Sequence, residues 1–437
     1  MKLRGTRALV VGMEASGKAA VRFLLSQGAD VTAADLKLVK GRDVPFRLQT
    51  DELFDEPYDL MVTSPGVPFD LPGLARARAR GVKVTGDLEL AAPHLKGNVI
   101  GITGTNGKTT TTSLIAHILR ECGVAVLLGG NIGRPVTDMI AESRAGQWNV
   151  LELSSFQLET IETFRAHIAV GLNLTQNHLD RHHTIEAYAE AKGRLFRLQT
   201  KDDWAVLNFV DEYCRRWAEM TKGRVMWFNN SQGWWIDGDG IRFDGAPFMP
   251  LAEIPIRGRH NAENTMAAAG AAHLAGVPLD AIANAVRTFK AVEHRLEFIR
   301  RVNGVDFYND SKATSVDATL KALASFPGNL WVILGGKDKG SDYHPLIAPL
   351  RDKAKGVLLI GAAAAKIASH LDAAVPVMQA GTLDAAVKEA FARAHSGDTV
   401  LLAPACASFD QFTSYEHRGQ VFKEIVGGFE EKHGIEA

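Results

Sequence analysis

Residues 98–112 read NVIGITGTNGKTTTT: an apolar run, a glycine-rich turn, a lysine and a row of hydroxyls. Glycines let the main chain approach an anion closely, and the N–H groups that open a helix form a phosphate site. In such a site Lys108 reaches the outer phosphates and Thr109 ligates Mg²⁺. The strict eight-residue phosphate loop would put its first glycine on Ile102, and Gly101 and Gly104 lie either side of it. The pattern is therefore a variant. A plain Gly/Thr turn is the weaker alternative, because Gly-Lys-Thr stands between an apolar run and a helical stretch.

Further along, QWNVLEL (147–153) is an apolar run that reaches an acid at Glu152. A carboxylate at the C-terminal end of a parallel strand beside a phosphate loop is placed to hold Mg²⁺. Taken alone, Glu152 reads equally well as a helix cap or a solvated acid. The spacing of Ile185, Tyr188, Ala189, Leu195 and Phe196 predicts a helix over 184–198, and Lys192 falls on its apolar stripe. A lysine there either snorkels its ammonium out to water or carries an altered charge. Burial lowers an amine's pKa, and a neutral amine can add CO₂ to become a carbamate, an anionic oxygen ligand. His178, in NLTQNHLDR, follows another apolar run and reads as a nitrogen ligand or as a structural histidine. Lys337 and Lys339 in GGKDKG read, on composition alone, as a solvated turn.

These groups need elements to hold them. Short β-branched runs recur at 8–11, 31–33, 60–62, 99–103, 150–153, 168–172, 204–207, 330–334, 357–360 and 399–403, with glycine turns and helical stretches between them. That alternation predicts the α/β class, with buried parallel sheets built from βαβ units. Breaks near 91–97 and 291–295 divide the chain into three domains, 1–91, 92–292 and 293–437. Residues 225–243, with paired aromatics and Asp-Gly-Asp-Gly, predict a β-hairpin added to the middle domain, and Asn303-Gly304 predicts a hairpin turn.

Composition narrows the class further. The chain has 437 residues, 46% hydrophobic and 23% charged, which excludes wholesale disorder. Lys+Arg 49 against Asp+Glu 50 leaves a net charge of −1, so no global field draws nucleic acid or an anionic membrane. No apolar run approaches the ~18 residues of a membrane span. Gly12 and Glu14 cut the first apolar run too early for a signal peptide. Cys122, Cys214 and Cys406 form neither a disulfide framework nor a zinc spacing. The expectation is a cytoplasmic protein with no membrane insertion and no nucleic-acid partner.

Together GTNGKTT, ELSSFQLE (152–159), NHLDRH (177–182) and the internal lysine resemble the Mur ligases. These are ATP-dependent amide-bond ligases of peptidoglycan precursor synthesis, related to folylpolyglutamate synthetase. The resemblance covers essentially the whole chain, including GNIG (130–133), HNAEN (260–264) and EHR (293–295). Its most discriminating stretches are NDSKAT (309–314) and PACASFDQF (404–412), which are similar to the branch that adds D-glutamate.

The resemblance implies a Rossmann-like first domain, a central P-loop ATPase-like parallel sheet and a Rossmann-like third domain. It implies ligation of D-glutamate to UDP-N-acetylmuramoyl-L-alanine through an acyl phosphate, with release of ADP and phosphate, by a monomer serving cell-wall synthesis, cell shape and division. Gly104, Thr105, Asn106, Gly107, Lys108, Thr109 and Thr110 would hold the ATP phosphates, with one Mg²⁺ on Thr109 and Glu152. His178 and a carbamylated Lys192 would hold a second Mg²⁺. Asn261 and Asn264 would approach adenine, Arg295 the phosphates and Asp310 the ribose. Lys312, Thr314, Lys339, Ser408 and the main chain at Tyr415 would embrace D-glutamate. Asn131 would contact the muramyl group, and Ser16, Asp35, Ser64, Pro65 and Gly66 the uridine diphosphate. Domain closure would hinge near 91–97 and 291–295.

Two positions depart from the family pattern. Glu14 stands where a second glycine often sits, and a carboxylate repels a pyrophosphate. Tyr415 stands where relatives carry Phe, which matters little if its backbone binds. Three other readings compete. A sibling ligase adding another amino acid or extending folate is opposed by NDSKAT. A P-loop kinase or NTPase leaves Lys192, His178 and the third domain unexplained. A non-catalytic scaffold would be expected to have lost Lys108, Glu152 or His178.

Overall fold

The apolar runs become strands covered on both faces: Leu60–Thr63 and Leu330–Gly335 are buried at every position. Parallel sheets flanked by helices require this. The structure, a computed structural model, describes residues 3–38, 44–290, 292–371 and 375–430, with the main chain alone at 180. Its α/β architecture contains three sheets.

The first sheet runs Phe46–Leu48, Asp30–Asp35, Arg7–Val11, Leu60–Thr63, Lys83–Gly86, all parallel. Its order reverses between Arg7–Val11 and Leu60–Thr63, so the loops that leave these neighbouring strand ends frame a crevice. In the second sheet Asn98–Thr103 lies between Ile168–Gly171 and Trp148–Glu152, all parallel. Val126–Gly130 closes one edge, and Trp204–Asn208 and Arg224–Phe228 extend the other. The expected hairpin pairs Trp234–Asp237 with Gly240–Phe243, and Ala246–Pro250 adds a further antiparallel strand. The third sheet opens with the antiparallel pair Glu297–Val302 and Val305–Asn309. Its turn, Asn303-Gly304, has both φ values positive, 49° and 78°. Thr399–Leu402, Leu330–Gly335, Ala354–Ile360 and Val377–Gly381 continue that sheet in parallel.

The chain forms two compact units. One comprises the residues up to Glu253 with Glu263–Thr288; the other comprises Ile254–Ala262 with the residues from Phe289 on. The short stretch Ile254–Ala262, inside the expected central domain, thus belongs with the C-terminal sheet. No helix among the described residues is long and apolar enough to cross a membrane.

The segment 91–97 expected as a hinge lies within the first unit. Ala91 is fully buried, and the Lys96 main-chain N–H donates to Ser143 Oγ at 2.9 Å. Just before it, the Glu89 carboxylate accepts the main-chain N–H groups of Glu162, Thr163 and Phe164 at 2.9–3.0 Å. Of the second expected hinge, position 291 lies outside the described residues. Hydrogen bonds to a buried charged group are worth about 1.5–3 kcal/mol each. Glu89→Ala is expected to destabilise the first unit by about 2–4 kcal/mol, read as a lowered first transition in urea unfolding, with Glu89→Gln intermediate.

Candidate active site

The helix Ile185–Arg197 opens at an N-cap, Thr184, whose hydroxyl accepts the Ala187 N–H at 3.1 Å. Its apolar face is clamped by Trp217, which stacks on Phe196 at 5.3 Å and donates Nε1–H to the Ala189 carbonyl at 3.0 Å. That rotation of the helix places Lys192 inside, 1% exposed. The snorkelling alternative is thereby removed. Lys192 Nζ donates to the Gly104 carbonyl at 2.9 Å and lies 3.4 Å from Thr103 Oγ1. Burial pushes the amine well below the usual lysine range, repulsion from Lys108 adds to this, and Glu152 opposes it.

Gly104 begins the loop between the strand Asn98–Thr103 and the helix Lys108–Glu121. Lys108 Nζ folds back to the carbonyls of Gly104 and Thr105, each at 2.9 Å. Two lysines therefore share one carbonyl. The loop is braced from outside by Asn173: its Oδ1 accepts the Asn106 N–H and its carbonyl accepts the Thr105 N–H, both at 2.9 Å. Gly107 is required where it stands. Its φ is 85°, and a Cβ there would come within 2.3 Å of Asn264 Oδ1. Thr109 and Thr110 are buried in the first helical turn.

Glu152 ends the neighbouring strand and is buried. Its Oε1 accepts Asn131 Nδ2–H at 2.8 Å, while its Oε2 is buried with no hydrogen-bond partner. An orphaned carboxylate oxygen beside a depressed amine is a donor set that fits a hard divalent cation. Asn131, expected at the muramyl group, is the donor to Glu152 Oε1. His178 adopts a left-handed backbone, φ 54°. Its ring packs edge-on to Phe156 at 5.0 Å and Tyr188 at 6.1 Å, and Lys192 Nζ lies 4.7 Å from the Tyr188 ring centre. The structure therefore gathers Lys108, Glu152, His178 and Lys192 around Gly104 and Tyr188.

In the first sheet, Asp35 Oδ2 accepts the Met13 N–H at 2.6 Å, and Ser64 Oγ donates to the Gly12 carbonyl at 2.5 Å. Both side chains brace the 12–14 loop from the neighbouring strand ends. Gly17 allows the helix Ala15–Ser26 to approach, since a Cβ there would lie 1.8 Å from the Gly12 carbonyl oxygen. Glu14 is the exposed cap residue of that helix, with no side-chain capping bond. Ser16 and Pro65 are half-buried and Gly66 is exposed at the same end of the sheet.

In the second unit, Arg295 lies between two residues with positive φ, His294 at 63° and Leu296 at 42°. Buried Asp310 fixes this turn, its Oδ1 accepting the Leu296 N–H at 3.2 Å, and the Lys312 N–H donates to the His294 carbonyl at 3.1 Å. Asn261, also in this unit, is buried with Nδ2–H on the Arg257 carbonyl at 2.7 Å. NDSKAT and PACASFDQF meet through Arg418, fully buried, which donates to the Ser311 and Cys406 carbonyls and to Ser311 Oγ at 2.8–3.2 Å. Burial lowers the Arg418 pKa to about 10. Ser311 Oγ in turn donates to the Tyr415 carbonyl at 2.8 Å, and Lys312 Nζ lies 5.5 Å from the Tyr415 ring centre. The Lys337 N–H bonds the Ala407 carbonyl at 2.8 Å, which puts the GGKDKG turn beside buried Ser408. Lys339 is exposed and Thr314 half-buried. Asn173, Asp338 and Arg418 were not singled out from sequence. Only Arg418 had a signal, a charged residue at helical spacing with Phe422 and Val426.

Residues 102–272 match the Mur ligase middle domain, and residues 294–406 match the Mur ligase glutamate ligase domain. The chain is 62% identical to UDP-N-acetylmuramoylalanine–D-glutamate ligase of Solibacter usitatus, over 99% of this chain and 100% of that protein. It is 49% identical to the enzyme of the same name from Acidobacterium capsulatum, over 98% of this chain and 97% of the other. The chain belongs to the Mur ligase family. Among solved structures, UDP-N-acetylmuramate–alanine ligase of Thermotoga maritima superposes with a TM-score of 0.62 at 16% identity, covering 97% of this chain and 99% of that one. The pseudomurein peptide ligase type C of Methanothermus fervidus gives 0.60 at 18% identity, covering 97% and 99%. These two likenesses bear on the fold, which this Mur ligase shares.

Burial raises the Asp310 pKa from 3.8 to about 6, against the pull of Arg295, the Leu296 N–H and Lys312. The folded state then binds this proton more tightly than the unfolded chain. Stability is accordingly higher at acid pH and falls as pH rises from about 4 through about 6, remaining lower above. Asp310→Asn should raise the unfolding midpoint of this Mur ligase at pH 8, by about 1–3 kcal/mol in stability, with the difference vanishing below about pH 4. Thermal unfolding of both proteins across pH checks this.

Proposed function

We propose that this chain is an ATP-dependent ligase that joins D-glutamate to the L-alanyl carboxylate of UDP-N-acetylmuramoyl-L-alanine in the cytoplasm, for peptidoglycan precursor synthesis. The observation that carries it is the meeting of Lys108 and Lys192 on the Gly104 carbonyl beside the unpartnered Glu152 oxygen. The named relatives support the choice of D-glutamate, as do NDSKAT and PACASFDQF. We assign the UDP part to domain 1–91, ATP to 92–292 and the amino acid to 293–437, with Ile254–Ala262 packing against the last.

The chemistry explains the charge pattern. A carboxylate does not condense with an amine at neutral pH, because oxide is a poor leaving group. Attack of the alanyl carboxylate oxygen on the γ-phosphorus expels ADP and yields an acyl phosphate. The D-glutamate nitrogen then adds to the acyl carbon, and phosphate departs as the amide forms. Both steps crowd negative charge. On ATP binding, Lys108 would exchange its loop carbonyls for the outer phosphates, with the main chain of 104–107 cradling them and Arg295 adding charge. Thr109 and Glu152 would hold one Mg²⁺, His178 and a carbamylated Lys192 a second, and the ions would supply charge neutralisation across the transferring group. The long stem of Lys192 would bring an anionic ligand to a place where a glutamate would be too short. Asn261 and Asn264 would meet adenine, and Asp310 the ribose. Lys312, Lys339, Thr314, Ser408 and the Tyr415 main chain would offer charge and donors to the two carboxylates of D-glutamate. Asp35 and Ser64 would act on the uridine diphosphate by shaping the 12–14 loop, with Ser16, Pro65 and Gly66 lining it and Asn131 near the muramyl group.

The monomer is expected to release phosphate only when ATP, Mg²⁺, UDP-N-acetylmuramoyl-L-alanine and D-glutamate are all present, and L-glutamate should not replace the D-isomer. Release that ignores both acceptors would establish an NTPase instead. Lys192→Ala should lower turnover by at least about 10³-fold, and short-chain carboxylates with bicarbonate should restore part of it. Equal turnover of variant and parent would remove Lys192 from the site.

A further inference from the structure

The GGKDKG turn is closed by a residue that follows it. Tyr343 is fully buried in the core of the C-terminal sheet, and its hydroxyl donates to Asp338 Oδ1 at 2.8 Å. The same hydroxyl oxygen lies 3.0 Å from the Sγ of Cys406, which is buried too. A hydroxyl has one hydrogen, and the Asp338 carboxylate, paired with Lys366 at 2.7 Å, only accepts. The Cys406 thiol is therefore the other donor. The bonds run from Cys406 S–H to the Tyr343 oxygen, and from Tyr343 O–H to Asp338.

These three side chains join two loops. Asp338 stands between Lys337 and Lys339, and Cys406 stands two residues before Ser408. The main chains of the loops meet at one residue pair, where the Lys337 N–H donates to the Ala407 carbonyl at 2.8 Å and the Ala407 N–H to the Lys337 carbonyl at 3.2 Å. Gly336 permits that approach, because a Cβ there would lie 2.2 Å from the Ala407 carbonyl oxygen. A single residue pair is a pivot. The Tyr343 bridge adds a second point of attachment, and two points fix how one loop is turned against the other. A buried hydroxyl is costly unless paired, and both pairings of this one are spent on the two loops.

We propose that Tyr343 is a positioning residue for the amino-acid substrate, holding the loop of Lys339 against the loop of Ser408 at the spacing that a dicarboxylate needs. The inference rests on the ligase reading above and deepens it. Tyr343 and Cys406 do not touch the substrate in this scheme; they act through the two loops, and the bond to the Asp338 carboxylate is the stronger half of the bridge.

The test is steady-state kinetics of Tyr343→Phe, Cys406→Ala, Cys406→Ser and the double variant Tyr343→Phe/Cys406→Ala, read as phosphate release well below each unfolding midpoint. Tyr343→Phe keeps the ring and removes the bridge. It should raise KM for D-glutamate about fivefold to tenfold, with KM for ATP and for UDP-N-acetylmuramoyl-L-alanine within about twofold of the parent. Cys406→Ala should raise the same constant about threefold or more, and Cys406→Ser, which can still donate to Tyr343, should recover it to within about twofold. Because one bridge is cut in either case, the double variant should be little worse than Tyr343→Phe. Equal rises in all three KM values, additive losses, or a Ser variant as impaired as Ala would each overturn the proposal. If Tyr343→Phe does not fold, the comparison of Cys406→Ala with Cys406→Ser decides by the same constants. A parent that releases phosphate without D-glutamate would overturn the underlying ligase reading. A parent that needs it, with KM for D-glutamate unchanged in Tyr343→Phe, would overturn this inference alone.

Discussion

Two ammonium-bearing side chains compete for one carbonyl oxygen inside the protein, and the central sheet is arranged around that conflict. Lys108 and Lys192 both reach Gly104, and Lys192 has no route to water. In a low-dielectric interior two adjacent cations are costly, so one must lose its proton or change its chemistry. Glu152 relieves the conflict only in part, since one of its oxygens is engaged by Asn131 and the other has no hydrogen-bond partner among the described residues. The loop is held as a receptor regardless, because Asn173 satisfies its outer N–H groups. The strain is local, and an anionic nucleotide with its cations would release it.

The C-terminal unit solves a different problem, the presentation of cations without mutual repulsion. Arg295 stands on a turn with two left-handed residues, which would relax without the buried Asp310 beneath it. Arg418 is buried completely, yet its guanidinium donates only to main-chain carbonyls and one hydroxyl. It serves as a clip between two loops. Asp338 plays the same part for GGKDKG: it accepts the Ser341 N–H, the Tyr343 hydroxyl and Lys366. With these fixed, the loops that carry Lys312 and Lys339 are held from below.

The parts legible in the sequence share a cause. Buried parallel strands must be apolar throughout, and a phosphate loop must have glycine where φ is positive, so 60–62, 330–334 and Gly107 announce themselves. Lys192 announced itself as an anomaly, but its two readings could be separated only by the rotation of its helix, which Trp217 sets from a distant segment. Asp35 and Ser64 are expected at the uridine diphosphate, and the bonds by which they also brace the 12–14 loop depend on which strands are neighbours.

Side chains that cross between the first two sheets explain how anions can be brought together in a fixed geometry. Glu89 from the first lobe caps three N–H groups of the second. Arg22 pairs with Asp138 at 2.7 Å. Arg181, in the helical turn after His178, donates to the Val67 carbonyl at 3.0 Å and pairs with Glu159. Through Arg181, the turn that carries His178 and the Ser64–Gly66 turn are referenced to the same point. If two anions must approach in line, the entropy of orienting them is lowest when their binding loops belong to one rigid body. The first two sheets lie in one compact unit, so the loops expected to bind the two anions share a single packed frame.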